Sequence, residues 1–127
     1  AGHKSDDLFE AVSEAAISKI ETFNAQNISN TVWAYASVGL ENDDLFEAVS
    51  EAAISKIETE AIDKIETFTA QNIVNTIWAF AKVGHENVDL FDAVSKAVIN
   101  KIETYNAQDI TNIVWTYATI GHEDDNI

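Results

Sequence analysis

Three segments of this chain repeat one pattern: TFNAQNISNTVWAYASVG, TFTAQNIVNTIWAFAKVG and TYNAQDITNIVWTYATIG. Their tryptophans, Trp33, Trp78 and Trp115, lie 45 and then 37 residues apart, whereas the Leu-Phe pairs that precede them (Leu8-Phe9, Leu45-Phe46, Leu90-Phe91) lie 37 and then 45 apart. The base period is therefore 37, and the middle unit carries 8 extra residues (45 − 37). A fixed period between ~20 and ~50 residues marks a repeat array, in which each unit buries its apolar face only against its neighbours. Such an array offers an extended surface, which constrains function more than any single residue does.

Each unit reads as two helices, at about 6–42, 43–87 and 88–124. The absence of proline and the presence of only four glycines suit short connections between helices. The fold expected is all-α, an α-solenoid of three antiparallel helical hairpins. For the first helix of each unit, Asp7 with Glu10, Asp44 with Glu47 and Asp89 with Asp92 resemble capping boxes. Leu8, Val12, Ala15, Ala16 and Ile20 then fall on one face, at the spacing of a buried stripe. Second helices are expected near 25–38, 70–83 and 107–120. Asn24, Thr69 and Asn106 serve as their N-caps, and Phe23/Ile28, Phe68/Ile73 and Tyr105/Ile110 as hydrophobic staples. Gly39, Gly84 and Gly121 are placed to end these helices in the left-handed conformation. In the first of them Ile28, Val32, Tyr35 and Ala36 make the buried stripe.

Residues 43–59 copy residues 6–22 without a change, and EAIDKIET follows as an imperfect second copy of AISKIET. Eight residues add ~80° of helical phase and ~12 Å of length. One helix from Leu45 to about Glu66 is expected, its stripe continuing through Ile54, Ile57, Ala61 and Ile65. Its second half should face away from its first, so the array should bend or splay there.

The charge is lopsided: 22 acidic residues face 7 lysines, with no arginine, for a net charge of −15. That balance keeps a chain soluble and repels polyanions. Without cysteine there is neither a disulfide nor a thiolate, and no apolar run is long enough for a membrane span. The chain begins at Ala1 and lacks methionine, so it reads as a piece of a longer protein whose targeting segment lies elsewhere. No Ser–His–Asp, Cys–His or phosphate-binding glycine loop occurs in a supporting context, so no enzyme, cofactor or small-molecule substrate is expected.

The string F-x-A-Q-(N/D)-I-x-N-x-(V/I)-W-(A/T)-(Y/F)-A-x-(V/I)-G resembles the second helix of the octotricopeptide repeat. It is also similar to the arrays of RNA-editing substrate-binding complexes and of proteins carrying a RAP domain. The resemblance covers about residues 6–124. It implies an α-solenoid that binds single-stranded RNA, with one base per unit, in a mitochondrion or chloroplast.

The candidate contacts are a polar stripe on the second helices. It comprises Gln26 and Asn30, Gln71 and Asn75, and Gln108 and Asn112, beside the three tryptophans and Lys82. An amide or a tryptophan in a groove can pair with or stack on a base. The same residues can instead pack unit against unit and satisfy backbone groups. Lys19, Lys64 and Lys101 recur near the end of each first helix. There they favour the helix dipole or track a phosphate backbone. His85 and His122 follow the terminal glycines and read as C-cap residues, with no second metal ligand at useful spacing. Two functions remain: an RNA-binding module of an organellar RNA-processing, stability or translation factor, or an acidic scaffold for a basic protein.

Overall fold

The computed structural model describes residues 2–63 and 67–123, with side chains placed over 6–62 and 67–121. Six α-helices follow one another: α1 (Gly2–Ser18), α2 (Ala25–Ser37), α3 (Asp43–Asp63), α4 (Ala70–Lys82), α5 (Val88–Lys101) and α6 (Ala107–Glu123). Short 3-10 turns, Ile20–Thr22 and Ile102–Thr104, lead into α2 and α6. Among the described residues every regular element is helical, and none is long and apolar enough to cross a membrane. The first helices stack as one layer, α1 on α3 on α5, and the second helices as another, α2 on α4 on α6. The chain is an α-solenoid of three hairpins.

The second helices begin where the sequence places them, because their caps are local chemistry. Asn24, Thr69 and Asn106 each accept from the backbone N–H three residues on, at 2.7, 3.1 and 2.8 Å. Asn27, Asn72 and Asp109 return the bond to the cap's own N–H. The shorter Asn or Asp thus does the work that Glu or Gln does in the usual box. Gly39 and Gly84 take φ of 73° and 76°, and the next residues, Leu40 and His85, bond back to the Tyr35 and Phe80 carbonyls. Gly121 departs from expectation: α6 runs through it to Glu123. Glycine permits the left-handed turn, but core contacts of the following residue hold it. Leu40 and His85 make such contacts, with His85 against the rings of Phe46 and Phe80.

The first helices start earlier than expected. Helix α1 begins at Gly2, leaving Asp7 in its interior. Asn42 caps α3 and Asn87 caps α5, accepting from Leu45 N–H at 3.0 Å and Leu90 N–H at 2.9 Å. Asp43, Asp44 and Asp89 then occupy first turns, where the dipole still favours them. Two of the cap and first-turn asparagines also reach back one unit. Asn72 donates to Ser29 Oγ and Asn87 to Ser50 Oγ.

Burial follows position in the array. Ile28, Val32, Tyr35 and Ala36 are buried as expected. The stripe on α1 is a correction: Leu8 is 61% exposed and Val12 and Ala15 are exposed, although their copies Leu45 and Val49 are fully buried. The local sequence is identical, so the difference is tertiary. A leucine at this position faces the preceding helix pair, so α3 buries it against α1 and α5 buries it against α3. Within hairpins, Tyr35 meets Phe9 edge-on at 5.1 Å, and its hydroxyl bonds Ser13 Oγ at 2.7 Å and the Phe9 carbonyl at 3.0 Å. Tyr117 repeats this on Ser95. In the middle unit Phe80 has no hydroxyl, and Ser50 accepts from Asn87 instead.

The duplicated sequence supplies its own control. Leu45→Ala should cost about 2–5 kcal/mol in denaturant unfolding, as core truncations do, whereas Leu8→Ala should cost under about 1 kcal/mol. Equal losses would show that position in the array does not set the burial.

Candidate functional site: an amide–aromatic face and an acidic cleft

The second-helix layer is almost free of charge. Helix α2 carries no charged side chain, α4 carries Lys82 alone, and α6 as far as residue 121 carries Asp109 alone. The acidic excess therefore sits on the first helices and the loops. On the uncharged layer Gln26, Asn30, Gln71 and Gln108 are exposed, and Asn75 and Asn112 are half-buried. Gln71 donates to Asn75 Oδ1 at 2.9 Å and Gln108 to Asn112 Oδ1 at 3.1 Å. Each pair bridges one helical turn and leaves the glutamine carbonyl and asparagine amino group to meet a ligand.

The tryptophans lie on the same layer. Trp33 and Trp78 come together across the unit boundary, with centroids 6.4 Å apart and planes inclined by 33°. Exposure rises from half-buried Trp78 to 47% at Trp33 and 61% at Trp115. Lys82 Nζ lies 5.9 Å from the Trp78 ring centroid, a cation–π placement of about 0.5–1 kcal/mol at an exposed site.

Lys19 is exposed, and Lys64 lies outside the described residues. Lys101 is drawn inward, where Nζ donates to Glu60 Oε1 at 2.8 Å and to the Phe68 carbonyl. Glu60 is 7% exposed, and its other oxygen accepts from Thr67 N–H, Thr67 Oγ1 and Phe68 N–H at 2.8–3.1 Å. Glu60 belongs to the eight-residue extension, and it ties the entry of α4 to the end of α5. Burial pushes its carboxyl up, but the bonds from Lys101, Thr67 and Phe68 outweigh burial and hold it below the ordinary glutamate range. Ala61, expected on the buried stripe, is exposed because Glu60 takes the inward position. Ile65 lies outside the described residues.

Beside this ion pair lies an open cleft of about 1290 Å³ lined from α3, the start of α4, α5 and the start of α6. Glu58, Asp89, Asp92, Asp109 and Gln71 line it. Its two lining lysines are paired, Lys96 with Asp92 at 3.2 Å and Lys101 with Glu60 at 2.8 Å.

A third cluster escaped the sequence because its members lie 44 residues apart. His85 Nδ1 is 3.2 Å from Glu41 and 3.5 Å from Asp43, while its Nε2 is 3.5 Å from Glu47. These contacts join the α4–α5 loop to the α2–α3 loop and to the first turns of α3. Among the described residues Glu41, Asp43 and His85 are the group whose donor atoms, within 4.8 Å of one another, could hold a divalent cation. The repeat register was the one available signal, since Glu41 and His85 occupy adjacent positions in equivalent loops.

Glu60→Gln should destabilise the fold by roughly 3 kcal/mol near neutral pH, because it removes the buried carboxylate that the Lys101 ammonium meets at 2.8 Å. A carboxyl whose folded pKa is depressed stabilises above its unfolded pKa, and that contribution is lost as pH falls through the lower folded value. The gap between wild type and Glu60→Gln should therefore narrow as pH falls below about 4.3. Urea titrations at neutral and strongly acidic pH check it, and a pH-independent gap would contradict the ion pair.

One family model matches the chain, over residues 5–32, 42–77 and 90–114, one segment in each structural unit. No curated protein matches it. The three matched segments span most of the solenoid, and the chain belongs to the family described as "Protein of unknown function (DUF1601)".

Proposed function

We propose that this solenoid is an RNA-binding module whose second-helix layer receives single-stranded RNA. The observation that carries the reading is the segregation of charge. A chain of net charge −15 nevertheless presents an uncharged layer on which Gln, Asn and Trp recur once per unit. Amides can pair with base edges, and aromatic rings can stack on base faces without sequence preference. The octotricopeptide-like spacing of these residues agrees with that use. It also suggests an organellar factor for RNA processing, stability or translation. Lys82 on that layer and Lys19 can meet phosphates, few enough that binding by this chain is weak and salt-sensitive.

A second reading rests on a different observation, the acidic cleft between α3 and α5. Glu58, Asp89 and Asp109 there suit a lysine- or arginine-rich segment of a protein, with the array acting as a scaffold.

Titration of short single-stranded RNAs, followed by tryptophan fluorescence at low salt, separates the two. RNA should bind weakly and be lost at moderate salt. Trp115→Ala should cost about 1–3 kcal/mol of binding if the ring stacks on a base, and replacing Gln26, Gln71 and Gln108 by Ala should weaken binding while leaving helicity intact. Replacing Lys19 and Lys82 should flatten the salt dependence without changing sequence preference. No RNA affinity, together with tight binding of a basic peptide that Asp89→Asn weakens, would establish the scaffold instead.

A further inference from the structure

His85 follows the left-handed exit of α4, its backbone N–H bonded to the Phe80 carbonyl at 3.0 Å. Its side chain is only 13% exposed and is held between the rings of Phe46 and Phe80, with centroids 5.7 and 5.6 Å away. Both of its nitrogens face carboxylates. Nδ1 lies 3.2 Å from Glu41 Oε2 and 3.5 Å from Asp43 Oδ1, and Nε2 lies 3.5 Å from Glu47 Oε1.

A neutral imidazole cannot satisfy that setting. It carries one N–H and one lone pair, so whichever nitrogen lacks the proton turns its lone pair toward carboxylate oxygens, acceptor against acceptor. A positive centre is needed at one edge of the ring. Two carboxylates converge on Nδ1 and one on Nε2, which divides the roles. Nε2–H donating to Glu47 fixes the tautomer, as the carboxylate behind a metal-bound histidine does. The Nδ1 lone pair then points into the space it shares with Glu41 and Asp43, where the three donor atoms lie within 4.8 Å of one another. Bonds of ~2.0–2.1 Å to a tetrahedral ion put neighbouring ligand atoms ~3.3–3.4 Å apart. The two distances from Nδ1, 3.2 and 3.5 Å, bracket that edge.

We propose that Glu41, Asp43 and His85 bind one divalent transition-metal ion of the zinc kind, with Glu47 as the positioning residue behind the imidazole. One nitrogen with two carboxylates suits such an ion better than Ca²⁺ or Mg²⁺, which favour oxygen alone. Glu41 and Asp43 are exposed, so the ion enters from solvent, while Phe46 and Phe80 hold the nitrogen ligand in place beforehand. Once bound, it ties the α4–α5 loop to the α2–α3 loop, and so the second unit to the first. The site shares no residue with the RNA-binding layer and is independent of that reading. A second proton on the imidazole would meet the same carboxylates and is the competing occupant.

Calorimetric titration of the EDTA-treated chain with zinc chloride near neutral pH, beside calcium and magnesium chloride, tests it, with the His85 ring nitrogens followed by nitrogen-15 NMR. One zinc ion should bind at least about tenfold more tightly than calcium or magnesium, shift the Nδ1 resonance of His85 and raise the midpoint of thermal unfolding. Asp43→Asn and Glu41→Gln change exposed side chains, and circular dichroism checks that both variants fold. Each should weaken zinc binding by about tenfold or more, and Glu47→Gln should do so by about 10–100-fold, as loss of the carboxylate behind a histidine ligand does. Absence of zinc binding would overturn the proposal, as would calcium binding as tight as zinc or an affinity unchanged in both folded carboxylate variants. A His85 that keeps protons on both nitrogens when zinc is added would overturn it in favour of an ion pair held by the proton.

Discussion

Everything in this fold depends on burial between units. Ile28, Val32, Ile73, Ile77, Leu45 and Leu90 have no exposed surface, and each reaches that state only because another unit lies against it. Fully burying such a side chain is worth about 1.5–3 kcal/mol. A single hairpin would keep its Tyr–Ser contact and its caps, yet leave one apolar face on each side in water. Stability therefore accumulates along the array, unit by unit.

Polar groups fix the register that this burial alone would leave loose. Asn72 and Asn87 each serve a helix start and also bond a serine of the preceding unit. His85, bracketed by Glu41, Asp43 and Glu47, ties loop to loop. The eight-residue extension, which shifts helical phase by ~80°, is accommodated by Glu60. Its carboxylate satisfies the chain entering α4 and meets Lys101 of the next unit. Without that carboxylate the longer helix would leave the Thr67 and Phe68 N–H groups without this acceptor and the Lys101 ammonium without this counter-charge.

Charge is divided between the two layers. The first helices and loops carry the acids, which maintain solubility and line the cleft beside α5. The second helices carry amides and aromatic rings in a ladder, with Trp33 and Trp78 in contact across a junction. Under the RNA-binding proposal, that division gives a strongly acidic chain an amide–aromatic surface for bases, while the second reading assigns basic segments to the cleft.

The sequence by itself determined the repeat, the helical class and the starts of α2, α4 and α6. Each of those rests on residues within one turn of each other: Asn24 with Asn27, Thr69 with Asn72, Asn106 with Asp109, and the glycines at 39 and 84. The amide–aromatic ladder was legible for the same reason, since i, i+4 and i+7 spacing on one helix fixes a face. Tertiary structure alone decided what lay between helices. Residues 6–22 and 43–59 are the same string, yet Leu8 is open to solvent and Leu45 is sealed. No local rule could distinguish them, because the difference is the presence of a neighbour. Lys101 could not be assigned to solvent or to an ion pair without knowing that Glu60, 41 residues earlier, turns inward. His85 likewise met its carboxylates only when stacking brought two loops together. Local hydrogen bonding is written along the chain, whereas burial and charge pairing are properties of which unit packs on which.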